Sequence, residues 1–168
     1  MTNLVVGLGA TGAALLLCGC MQSTALATKA GSAEQLECTG ATVSPDELRL
    51  RESMTVLKVE RQVWWDWCYG IAKIEGTKLL VRPPVAMSSE QLSRNLQCAS
   101  ARAALGRVDP GTLPNDPYGL PGAWVDIDVN PEGDNFAVTL RADSVPHNIL
   151  LLRRATAFAA AQRAAAKQ

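Results

Sequence analysis

The sequence predicts an α+β fold: a small antiparallel sheet of about four strands, in two hairpins, packed with about three helices. Three observations lead to it. Helix-start patterns precede stretches with apolar residues at helical spacing. Other stretches alternate apolar and polar residues as half-buried strands do. The two kinds of segment follow one another as helix, hairpin, helix, hairpin, helix, an order that places helices together on one face of a sheet. At 168 residues the chain has room for one ordinary domain with a real core.

The first helix is marked by Ser44-Pro45-Asp46-Glu47, an N-cap, a first-turn proline and a capping Glu, with Leu48, Met54 and Leu57 able to form its buried side. Its end is open, because Leu57, Val59, Val63, Trp65 and Trp67 also suit an alternating strand. Ile71 to Ile74 and Leu79 to Val81 read as short strands around a Glu75-Gly76-Thr77 turn, stopped by Pro83-Pro84. Ser88-Ser89-Glu90-Gln91 caps a second helix, with Leu92, Leu96, Ala99 and Ala103 on one face and Gly106 beyond its end.

Val108 to Pro121 is a loop rich in Pro and Gly. After it Val125, Ile127 and Val129 alternate inwards, answered by Phe136, Val138 and Leu140 on a returning strand. Ser144 and Pro146 open a last helix, in which Val145, Ile149, Leu152, Ala155 and Ala159 can pack. Ala137 to Ser144 and the helix after it are similar to bacterial BON domains, which are exported and often membrane-associated, but they lack the glycines of those domains.

Charge is distributed unevenly. Lys+Arg and Asp+Glu are 16 each, so no net charge draws the chain to nucleic acid. Yet no charged side chain occurs before Lys29. Leu4-Val5-Val6 and Ala13 to Leu17 supply the apolar stretch of an export signal, ending in small and polar residues. Leu17-Cys18-Gly19-Cys20 resembles the lipobox of bacterial lipoproteins, in which the cysteine receives diacylglycerol before signal peptidase II cuts.

The resemblance covers only the first twenty-odd residues; Cys18 is less usual in its position, and the start carries no Lys or Arg. It implies a signal peptide over 1–19, a lipid-bearing Cys20 as mature N-terminus, and attachment to a membrane through several acyl chains. Met21, where an Asp commonly retains such proteins at the inner membrane, points to the outer membrane, facing the periplasm. Residues 20–43, small and polar without periodicity, then read as a flexible tether, and 44–168 as the periplasmic domain.

Three other readings of the N-terminus stay open. Ala25-Leu26-Ala27 suits the ordinary signal peptidase and would discard Cys20, and the segment could remain as an uncleaved anchor. Gly7-Leu8-Gly9-Ala10-Thr11-Gly12 after Leu4-Val5-Val6 matches a dinucleotide-binding turn, but no strand ending in an acid follows about 20 residues on.

Five cysteines stand at 18, 20, 38, 68 and 98. In an oxidising envelope Cys68 and Cys98 are the favoured disulfide, both lying in predicted structured segments, and closing that loop would contribute about 3–4 kcal/mol. Cys38 is then spare.

Little else carries chemistry. The single His147 follows a helix-starting proline and suits a capping role. Asp126, Asp128 and Asn130 begin like a calcium loop, but Pro131 and Ala137 stand where glycine and the bidentate Glu are required, so no metal or other cofactor is expected. Trp64, Trp65, Trp67 and Tyr69 concentrate the aromatic surface; they are good core material or a recognition surface, and cannot all face one way.

The sequence therefore favours a non-catalytic domain tethered to a membrane by lipid in the cell envelope, with no catalytic residues assigned. Its expected partner is another envelope component, a protein subunit or peptidoglycan, met through the Trp segment or a sheet edge. The alternative is a small envelope hydrolase using carboxylates such as Asp66 or Asp126, which would need a pocket holding a perturbed acid.

Overall fold

The computed structural model describes residues 14–38, 45–66, 68–83, 87–107 and 115–166. Gly7 to Gly12, Ser44 and Trp67 lie outside them. In chain order the elements are α1 (Ala14–Glu37), α2 (Pro45–Ser53), β1 (Thr55–Asp66), β2 (Ile71–Arg82), α3 (Ser89–Ala104), β3 (Val125–Glu132), β4 (Asn135–Ala142) and α4 (Val145–Ala165). The four strands form one antiparallel sheet in the order β1-β2-β4-β3. This is the α+β arrangement of two hairpins that the sequence predicts, with one helix more.

One face of the sheet is buried. Val125, Ile127 and Val129 alternate with exposed Asp126, Asp128 and Asn130 along β3. Val138 and Leu140 of β4, Leu79 and Val81 of β2 and Val56 of β1 extend the apolar face. Leu92 and Leu96 of α3 and Leu151, Ala155, Phe158 and Ala159 of α4 cover it. Tyr118, in the loop before β3, meets Phe158 edge-on with ring centres 6.2 Å apart.

Local chemistry sets each boundary. The Ser88 side chain accepts from Gln91 N–H to start α3. The Glu90 carboxyl is held below its ordinary range by backbone N–H at that helix start and by the Ser88 hydroxyl. Ser144 caps α4 in the same way, accepting from His147 N–H. The Asn148 side chain then accepts from Ala142 N–H at 2.8 Å and donates to Ala142 C=O at 3.2 Å. That pair of bonds fixes how α4 is rotated. Consequently Leu151 and Phe158 face inwards while Val145, expected in the core, is 42% exposed.

The hairpin turn also lies elsewhere than expected. Glu75-Gly76-Thr77 is not a turn but part of a continuous β2, and the chain reverses between Asp66 and Ile71. β1 and β2 are 12 residues each, whereas β3 and β4 are 8.

The outer edge of β3 is closed by side chains of α3. Ser100 Oγ donates to Val125 C=O at 2.7 Å and accepts from Val125 N–H, and Gln97 Oε1 accepts from Ile127 N–H at 3.1 Å. At the start of β1, Gln162 of α4 bonds both Val56 N–H and Met54 C=O.

Helix α1 corrects the reading of residues 20–43 as a structureless tether: the chain is helical from Ala14 to Glu37. Small residues make its docking possible, since Ala30 lies fully buried against Ala101 and Trp124, with Leu26, Ala33, Ala104 and Leu105 around them. Glu34 pairs with Arg107, and Cys38 is bonded to Cys98 of α3.

The disulfide is therefore Cys38–Cys98, not the expected Cys68–Cys98. The reason lies in the two corrected elements together: α1 delivers Cys38 onto α3, while the long first hairpin carries Cys68 to its exposed tip, outside the disulfide.

Closing a loop across the 60-residue separation of Cys38 and Cys98 is worth about 4 kcal/mol in the chain-entropy description. Cys98→Ser should lower the urea unfolding free energy by roughly that amount, and reductant should do the same to the native chain. Cys68→Ser should leave the unfolding curve in place.

Candidate functional site: an exposed aromatic arm

β2 pairs with β4 only from Thr77 opposite Leu140 to Val81 opposite Phe136. β1 and β2 continue together well past Thr77, to Asp66 opposite Ile71. The distal part of the hairpin therefore leaves the sheet as a two-stranded arm. The departure point needs a glycine: a Cβ on Gly76 would lie 2.6 Å from the Leu140 carbonyl oxygen. Just beyond it Gln62 opposes Gly76 while Val63 opposes Ile74, so Glu75 is an extra residue and the ladder carries a bulge. At the tip Gly70 adopts a φ of 61°, which a side chain would strain.

Side-chain alternation then clads both faces of the arm in apolar groups. Val63 opposite Ile74 and Trp65 opposite Ala72 share one face; Trp64 opposite Lys73, together with Ile71, shares the other. Trp64 is 45% exposed, Trp65 52% and Tyr69 77%; Val63 and Ile71 are exposed as well. Lys73 Nζ lies 6.0 Å from the Trp64 ring centre, close enough to draw the ammonium over the indole face. Of the two readings of this segment, the exposed one holds for Trp64, Trp65 and Tyr69; Trp67 lies outside the described residues.

Val63, Ile71 and Lys73 belong to the same surface and carried no sequence signal of their own. Val63 and Ile71 read as ordinary core positions of a strand. Their exposure follows from the shortness of the neighbouring strand, which is a property of the sheet.

The chemical alternatives are placed differently. Asp126 Oδ1 accepts from Trp124 Nε1 at 2.6 Å and from Lys29 Nζ at 3.3 Å, with Lys29 also 4.8 Å over the Trp124 ring. It is an anchor point for α1, in an open groove also lined by Lys73, Glu75 and Arg141. The Asp66 backbone stands at the end of β1, and its side chain is outside the described set. His147 Nδ1 faces both Ser144 Oγ, at 3.0 Å, and Asp143 Oδ1, at 3.1 Å. A nucleophilic triad requires the hydroxyl and the carboxylate on opposite ring nitrogens, so this cluster is a helix cap. Among the described residues no group of three metal-ligating side chains occurs.

Among the described acids the one that burial perturbs is Asp116, in the loop before β3. Its carboxyl is pushed up by desolvation and pulled back by the Arg51 guanidinium beside it and by Tyr118 N–H at 2.9 Å. Arg154 donates to the carbonyls of Asp116 and Gly119 at 3.3 and 3.0 Å. Tyr118 is fully buried, and that burial pushes its hydroxyl far up. The cluster ties the loop before β3 to α2 and α4. Its described role is structural.

Comparison of the chain with protein-family models, with curated proteins and with solved structures found no match.

Two substitutions separate the scaffold from the arm. Asp116→Ala strands the buried Arg51 charge and should cost about 3–5 kcal/mol in urea unfolding. Trp64→Ala combined with Trp65→Ala should move the same measurement much less, by about 1 kcal/mol, because about half of each indole is already in water.

Proposed function

We propose that this chain is a bacterial lipoprotein, cleaved before Cys20 and held at a membrane by lipid on that cysteine, whose domain is a non-catalytic binding module of the cell envelope. The observation that carries the binding role is the arm: Trp64, Trp65 and Tyr69 stand in water on a structure that the core does not use. Large rigid aromatics of this kind supply contact area at low entropic cost, and they dominate recognition surfaces.

Support for the address comes from Leu17-Cys18-Gly19-Cys20 and the uncharged run around it. A disulfide between Cys38 and Cys98 suits an oxidising compartment. No described helix is long and apolar enough to cross a membrane. Met21 in place of Asp favours the outer membrane, with the domain facing the periplasm. Cleavage before Cys20 would leave α1 running from the lipid-bearing residue to Glu37, so the domain would ride on a helix instead of a flexible tether.

Intact mass measurement of the membrane-extracted protein tests the address. A mature chain beginning at Cys20 with added acyl mass, absent from Cys20→Ala, is the expected result. A chain that keeps Met1 and carries no lipid would refute it.

A further inference from the structure

Two projections leave the domain from the same end of the sheet. The first is the arm, which departs where β2 passes Leu140 and Arg141 of β4. The second is the N-terminal part of α1. The contacts of α3 orient it: Gln97 bonds Ile127 and Ser100 bonds Val125, so α3 runs towards the Val125 end of β3, which pairs with Ala142 of β4. α1 runs the other way along α3. Cys38 is joined to Cys98, Ala30 packs on Ala101, and Lys29 reaches Asp126, opposite Arg141, so lower numbers of α1 approach the arm end.

The two projections have similar reach. The α1 backbone continues unbroken from Lys29 back through Cys20, about 14 Å of helix. From Gly76 to Gly70 the arm extends about 20 Å. A lipid on Cys20 would therefore bring the arm tip to the bilayer that the lipid enters.

The arm has the composition that such a meeting requires. Indole and phenol rings are amphipathic and settle at the boundary between headgroups and acyl chains, where one side is apolar and the polar edge stays wet. Apolar groups clad both faces of the arm, as an inserted tip needs and a one-sided protein interface does not. Among the described side chains of the arm the exposed charges are Lys73 and Glu75, of opposite sign, so these give it no net charge to draw it to anionic headgroups.

We infer that the aromatic arm, through Val63, Trp64, Trp65, Tyr69 and Ile71, inserts into the interfacial layer of a phospholipid bilayer and forms a second membrane contact beside the lipid on Cys20. The inference names the partner of the proposed binding surface and rests on that reading for the source of the first contact. With two contacts the domain is held in one orientation on the membrane.

The test uses the full-length protein reconstituted into phosphatidylcholine vesicles with and without brominated acyl chains, reading tryptophan emission. The chain's tryptophans are those of the arm segment and Trp124, which is 6% exposed and packed under α1, so bromine quenching reports the arm. Strong quenching with a blue-shifted emission is expected. Equal emission in both vesicle types overturns the inference, and so does a blue shift without quenching, which would place a second copy or another protein on the arm.

The Cys20→Ala chain, floated with the same vesicles, separates the two proposals. Trp64→Ser and Trp65→Ser should each weaken its partition by roughly tenfold, with the urea midpoint unchanged as proof of folding, and 1 M salt should have little effect. Absent acyl mass on the wild type with arm quenching intact would sink the anchor and leave the arm standing. Acyl mass present with no quenching would do the reverse.

Discussion

A mismatch of strand lengths governs this molecule. The first hairpin has strands of 12 residues and the second of 8, and the two share only the run from Thr77 to Val81. Within that run every strand finds a partner and the covered face builds the core. Outside it no third described strand lies beside the first hairpin, so most of its side chains there are exposed whatever their polarity. An isolated two-stranded ribbon is marginal in water. Here it is stiffened by its continuity with the sheet, by the bulge at Glu75 that twists it away, and by the Lys73 contact with Trp64.

The rest of the structure consolidates the other end of that arrangement. Where β3 would present an open edge, Ser100 and Gln97 occupy its hydrogen-bonding groups. Two polar side chains of α3 thus take up the edge groups of Val125 and Ile127 without a fifth strand. The loop before β3 is irregular and still buries Tyr118, because Asp116, Arg51 and Arg154 satisfy its backbone and each other. Such a buried pair contributes position more than energy, since desolvation offsets much of its attraction.

Much of the sheet was legible in the sequence. Strict alternation in β3 and the Ser88 and Ser144 caps read directly, because each depends on residues within a few positions of one another. The features that were not legible depend on distant partners. Glu75-Gly76-Thr77 resembles a turn locally, and only the passing Leu140 carbonyl shows why glycine is there. In α4 alanines on every side erase the period, so its inward face is set by Asn148 gripping Ala142. The small residues of α1 resemble a linker by composition, yet smallness is what lets one helix lie closely on another, as Ala30 does on Ala101. Cys38 pairs with Cys98 for that same reason.

The aromatic cluster shows both limits at once. That Trp64 and Trp65 could not share a face was plain from alternation, and it required at least one exposed indole. That both are exposed follows from the arm having left the sheet before they occur. A protein that keeps Ser100, Thr77 and Asn148 buried, and places its polar residues where they close edges and grip turns, nonetheless leaves Val63, Trp64, Trp65, Tyr69 and Ile71 in water. Exposed apolar groups gathered on one projection mark a surface meant to be covered. The core does not cover it, and α1 packs on α3 and reaches Asp126 of β3, the strand at the opposite edge of the sheet from β1. The described residues leave these side chains uncovered, and a bilayer at the Cys20 end of α1 is the cover proposed for them.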